Sequence, residues 1–144
     1  MAFHKVLIAL DDGPVAAHAV DVGIELSRVL RADVALIHVL EPPVSYDADI
    51  GVPPAELAEI AKQEGRRLLD GVRSRLLLEP STLSFLESGS PPDQIVQAAT
   101  AWPADLIVIG SHGRSGMQRV FLGSVAEAVL RHAQCPVLVV RVPK

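Results

Sequence analysis

The stretch Leu106–Val140, LIVIGSHGRSGMQRVFLGSVAEAVLRHAQCPVLVV, decides how the rest of the chain is read. It begins with Leu106–Gly110, a short continuous apolar run of the kind expected for a strand buried on both faces. A glycine-rich stretch follows and leads into a helical pattern over Ser124–His132. A second apolar run, Pro136–Val142, closes the chain as another strand.

The same alternation extends upstream. Lys5–Leu10 and Asp33–Val39 read as buried strands, and Leu83–Glu87 as a weaker one. Ala16–Leu30 reads as a helix with Ala16, Ala19, Val20, Gly23, Ser27 and Leu30 on one face and Asp21, Glu25 and Arg28 on the other. Ala55–Leu76 is the longest expected helix, with Leu57, Ile60, Ala61, Leu68, Val72 and Leu76 inward. Ser90 heads S-P-P-D: a serine to cap a helix, Pro91 at its first position, and Asp93 to complete a capping box, with the helix running to about Trp102. Between the second strand and the second helix, Glu41–Pro54 holds four prolines and one glycine. A loop of that length is expected to be a lid or a tolerated surface insertion.

Strands and helices in alternation imply one α/β domain over residues 1–144: a doubly wound, five-stranded parallel sheet with helices on both faces. Right-handed crossovers leave few strand orders. Order 3-2-1-4-5 places a switch point between strands 1 and 4, and ligands of such sheets bind at the carboxyl ends of the strands there.

Composition excludes several classes. Hydrophobic residues make up 49% of the chain and charged residues 21%, which is a globular balance. The net charge of −4 and only five aromatic residues argue against a nucleic-acid partner. No apolar stretch approaches the ~18 residues of a membrane span, and Val6–Leu10 is too short for a signal-peptide core. The lone Cys135 points to a reducing, cytoplasmic setting and, with no second cysteine, against a Cys-based zinc site. A buried structural thiol is its expected state.

At the carboxyl end of strand 4 the glycines follow the spacing G-x2-G-x9-G-S, at Gly110, Gly113, Gly123 and Ser124. This is neither the phosphate loop with its lysine nor the dinucleotide G-x-G-x-x-G pattern. Glycines let backbone amides approach an anion, and a helix opening at Ser124 offers free amides and a favourable dipole. Arg114 and Arg119 can add charge-assisted bonds, so the stretch is expected to bind phosphate. The plainer reading has Gly110 ending a strand and Ser124 forming a capping box with Glu127. His112 either contacts a phosphate or fills a turn, and His38, inside a strand, is expected to be a core histidine with a satisfied hydrogen bond.

On these residues, with strand 1 ending in Asp11 and strand 2 reading Leu36-Ile37-His38-Val39, the chain resembles the universal stress protein family over nearly its whole length. The resemblance implies the Rossmann-like, adenine nucleotide alpha hydrolase-like fold and a stress-response module that binds ATP, with or without magnesium. It implies that Asp11 lies near ribose, phosphates or the metal ion and that Val39 meets adenine through its backbone. Gly110 and Gly113 would line the ribose and phosphate path, Gly123, Ser124 and Val125 would hold phosphates, and Ala9 and Ile109 would be apolar walls. It also implies a homodimer through strand 5, Val137–Val142. The family often reads Asp-Gly-Ser after strand 1, whereas this chain has Asp11-Asp12-Gly13-Pro14. Asp12 then caps the first helix, binds a metal or repels a phosphate. A slow nucleotide hydrolase and a ligand-free interaction module of the same fold are the competing functions; the residues name no general base with a group to orient it.

Overall fold

The computed structural model describes residues 2–11, 14–41, 51, 53–111 and 122–141. In chain order its elements are β1 (Lys5–Leu10), α1 (Pro14–Leu30), β2 (Asp33–Leu40), α2 (Pro54–Arg75), β3 (Leu83–Ser88), α3 (Pro91–Ala101), β4 (Leu106–Gly110), α4 (Ser124–His132) and β5 (Val137–Val140). The strands form one sheet, ordered β3-β2-β1-β4-β5, and every neighbouring pair is parallel.

Successive side chains of a strand point to opposite faces, and the central strands bury both. Val6, Ile8 and Leu10 of β1 join Val20 and Ile24 of α1 and Leu69 and Val72 of α2 in one core. Leu7 and Ala9 join Ile95 and Ala99 of α3 and Ala126 and Val129 of α4 in the other. The amino-terminal end of the sheet is tied by Asp105. Its carboxylate accepts the amides of His4 and Lys5 at 2.8 and 3.0 Å, and its own amide donates to the Lys5 carbonyl at 2.8 Å.

Several expected boundaries and contacts shift. α1 begins at Pro14 rather than Ala16, because proline is compatible with a first helical turn. Ile24, omitted from its expected inward face, is buried. α2 buries Gly65, Leu69 and Val72, while Ile60 is 46% exposed. Gly65 and Leu69 keep the step of three to four that leads to Val72, and Ile60 falls off that line. Ser90 is the N-cap of α3 and Pro91 its first residue, but the serine makes no side-chain capping bond, so the expected capping box is absent. β5 spans Val137–Val140, shorter than the expected Pro136–Val142; Arg141 follows the strand, and Val142 is outside the described residues. Most of the expected lid, residues 42–50 and 52, also falls outside them, as does Asp12.

Candidate functional site

The two ladders of β1 end at different heights. Toward β2 the pairing continues to Leu10↔His38. Toward β4 it stops at Ile8↔Val108, although β4 itself stays paired with β5 up to Gly110↔Val140. Ala9 and Leu10 on one side and Ile109 and Gly110 on the other are therefore not paired across the gap. The sheet parts at the carboxyl ends of the two strands where the strand order reverses, which is where such sheets open a crevice.

The chain returns to this opening after leaving it. Ser111, 2% exposed, donates its amide to the Val140 carbonyl at 2.8 Å, and its carbonyl accepts the Gly123 amide at 2.6 Å. Gly123 is the N-cap of α4, with φ −63° and ψ 156°. The first intrahelical bond runs from the Glu127 amide to the Gly123 carbonyl at 3.0 Å. The amides of Ser124, Val125 and Ala126 thus form the head of the helix, ahead of its ladder, beside the end of β4. Ser124 is the first helical residue and not the cap, so the plainer capping-box reading fails. The Glu127 carboxylate instead accepts from Arg131 at 2.8 Å, one turn along.

On the opposite wall, Asp11 is half-buried directly after β1. Val39 lies one step past the last β1–β2 pair while β2 remains paired with β3 through Leu40↔Ser88. Its carbonyl on the β1 side lies past the last pair of that ladder. His38 is 9% exposed, and its Nδ1–H donates to the Leu10 carbonyl at 3.0 Å, as expected for a core histidine with a satisfied bond. Ala9 and Asp11 thus lie at the carboxyl end of β1, Ile109 and Gly110 at that of β4, and Gly123, Ser124 and Val125 at the head of α4 tied to it through Ser111, with Val39 on the next strand. His112, Gly113 and Arg114 are outside the described residues. Ser111 was missed by sequence reasoning; its place inside the glycine stretch is the signal that pointed to it.

The other end of the sheet has different electrostatics. A cavity of about 550 Å³ there is lined by residues including Lys5, Arg28, Asp33, Leu78, Leu83 and Trp102. α1 and α2 end at this side, and helix carboxyl termini disfavour anions. Arg28 donates to the Leu76 carbonyl at 2.9 Å, and Lys5 sits 5.3 Å from the Trp102 ring centroid. Cys135, half-buried ahead of β5, has its thiol pushed up by burial; a backbone hydrogen bond opposes this and the Asp105 charge adds to it. Such a thiol is a weak nucleophile near neutrality.

The family model described as the universal stress protein family matches residues 2–141. The chain belongs to this family. Universal stress protein MJ0531 of Methanocaldococcus jannaschii is 34% identical over 148 aligned positions, covering 99% of this chain and 84% of that relative. Among solved structures, universal stress protein UspA from Lactobacillus plantarum superposes with a TM-score of 0.81 at 24% identity, covering 98% and 99% of the two chains. A universal stress protein in complex with cAMP superposes at 0.66 with 22% identity, covering 98% of each. At these identities the two structures establish for this universal stress protein the shared Rossmann-like α/β fold. No helix among the described residues is long and apolar enough to cross a membrane.

Proposed function

We propose that this universal stress protein is an ATP-binding regulatory module of the stress response, taking the nucleotide where β1 and β4 part. The observation that carries this reading is the Gly123–Ser111 bond, which seats the head of α4 at the mouth of the crevice. Free amides and the positive end of a helix dipole suit phosphate groups. Gly123, Ser124 and Val125 take the phosphates. Gly110, with Gly113 beyond it, lets the ribose and phosphate path run close to the backbone. Val39 offers adenine its backbone at the last β1–β2 pair, and Ala9 and Ile109 supply apolar walls. His112 and Arg114 stand in the same glycine-rich stretch of sequence and would add donors to phosphate. The relative solved with cAMP carries an adenine, a ribose and a phosphate, the same three groups.

Magnesium, when present, neutralises phosphate charge. It commonly takes one or two carboxylates, the remaining ligands being phosphate oxygens and water. Asp11 fits that role as a half-buried carboxylate directly after β1. We also place the protein in the cytoplasm, where a lone thiol stays reduced, and as a homodimer joined through β5.

The test is Ser124→Glu. A carboxylate in the first turn of a helix stabilises it by about 0.3–1 kcal/mol. The same charge would repel the phosphates. The variant is expected to melt at or above the wild-type temperature and to lose Mg·ATP binding by calorimetry. Undiminished affinity in the folded variant would count against the site.

A further inference from the structure

His38 does more than fill the core. Leu10 is the last residue of β1 and lies two positions past its final pair with β4, so the ladder holds it from the β2 side only. The His38 Nδ1–H bond reaches its carbonyl at that point. Because the acceptor is a carbonyl, Nδ1 carries the hydrogen. The next residue along β1 is Asp11, and the next along β2 is Val39. One buried side chain therefore joins the ends of the two strands that carry the proposed magnesium or ribose contact and the proposed adenine contact.

The ring is also held from behind. α2 presents Gly65 to it, and a Cβ at that position would lie 3.3 Å from His38 Cδ2 and 2.7 Å from Leu86 Cδ1. The helix therefore approaches so closely that only glycine fits without movement of its neighbours. Gly65 thus backs the ring on the side away from the sheet while Nδ1 bonds the Leu10 carbonyl. Apolar packing alone would be met by a leucine, whereas a donor aimed at the final carbonyl of the neighbouring strand fixes where that strand leaves the sheet.

We propose that His38 is a positioning residue of the nucleotide site, its Nδ1–H bond to Leu10 setting the direction in which β1 delivers Asp11. This rests on the ATP-site reading above. Three variants separate it from a packing role. In His38→Asn the side-chain amide nitrogen occupies the position of Nδ1 and retains the donor, but a void is left. His38→Leu fills the space without a donor. His38→Gln carries its amide one bond further out, and keeps the position testable should the leucine variant not fold.

Mg·ATP affinity by calorimetry and melting temperature are measured on all three and on wild type. Positioning predicts that the leucine and glutamine variants bind about tenfold more weakly, the upper scale of one intramolecular hydrogen bond. It predicts that the asparagine variant stays within about twofold of wild type even where its void makes it the least stable of the set. Wild-type affinity in a folded leucine or glutamine variant would overturn the proposal and leave the site intact. Affinity that simply follows melting temperature, with asparagine weakest, would also overturn it. Absence of ATP binding by wild type would overturn the site reading itself, and this proposal with it.

Discussion

Gly23 of α1 lies over the last pair that holds β1 to β4. A Cβ there would be 2.8 Å from Ile8 Cδ1 and 3.3 Å from Val108 Cγ1, and both side chains are fully buried. The glycine thus permits a close helix-to-sheet approach directly beneath the point where the strands part. Replacing it with alanine gains about 1 kcal/mol of helix propensity. Overpacking a filled core costs about 1–3 kcal/mol. The contact also reaches Ile8 Cγ1 at 3.1 Å, so more than the methyl tip must shift, and Gly23→Ala is expected to destabilise by about 1 kcal/mol net, read by urea denaturation. A stabilised variant would show that the contact relaxes freely. At this scale the sequence was partly legible. His38 read as a bonded core histidine because polar groups inside a buried strand need partners. Its partner, the Leu10 carbonyl, was not legible, because a main-chain acceptor on another strand leaves no mark in composition or spacing.

Elements were read more completely than their surfaces. Short apolar runs mark β1, β2 and β4, which are the buried strands of the sheet, while β3, LSFLES, is the weaker signal and lies largely exposed at one edge. The inward face of α2 was misjudged at Ile60, because the periodicity over one half of a long helix does not reveal how far the sheet extends beneath it. Ser90 and Ser124 have the sequence signature of capping boxes without the bonds, since cap geometry depends on how the preceding chain enters the helix. β5 is the element with most left to explain. It lies at the sheet edge, paired with β4 alone, and its apolar residues Val137, Leu138 and Val139 are only half-buried. Lysine, proline within the strand or a bulge would protect such an edge, and VLVV contains none of these. Pairing with a second copy about a twofold axis would cover it. Sedimentation equilibrium at micromolar concentration is expected to return a dimer of two 15.3 kDa chains. A species near the single-chain mass would refute the pairing.

The whole molecule is polarised between the two ends of its sheet. At the amino-terminal end Asp105 clamps β1 to β4 through the amides of His4 and Lys5. At the carboxyl end the same two strands separate, and Ser111 and Gly123 bring the head of α4 to the gap. This polarity was legible in outline, because alternation, right-handed crossovers and strand order together locate a switch point. The unequal height of the two ladders of β1 and the role of Ser111 as the joint were not, since both depend on register. A nucleotide is therefore expected at the carboxyl end of the sheet and not at the amino-terminal end. Hydrogen exchange with and without saturating Mg·ATP tests this most directly. Protection is expected at Asp11, Val39, Leu40, Gly110, Ser111 and Gly123–Ala126, with Lys5, Asp33 and Leu83 unchanged. Protection confined to the amino-terminal end of the sheet, or none anywhere, would contradict it.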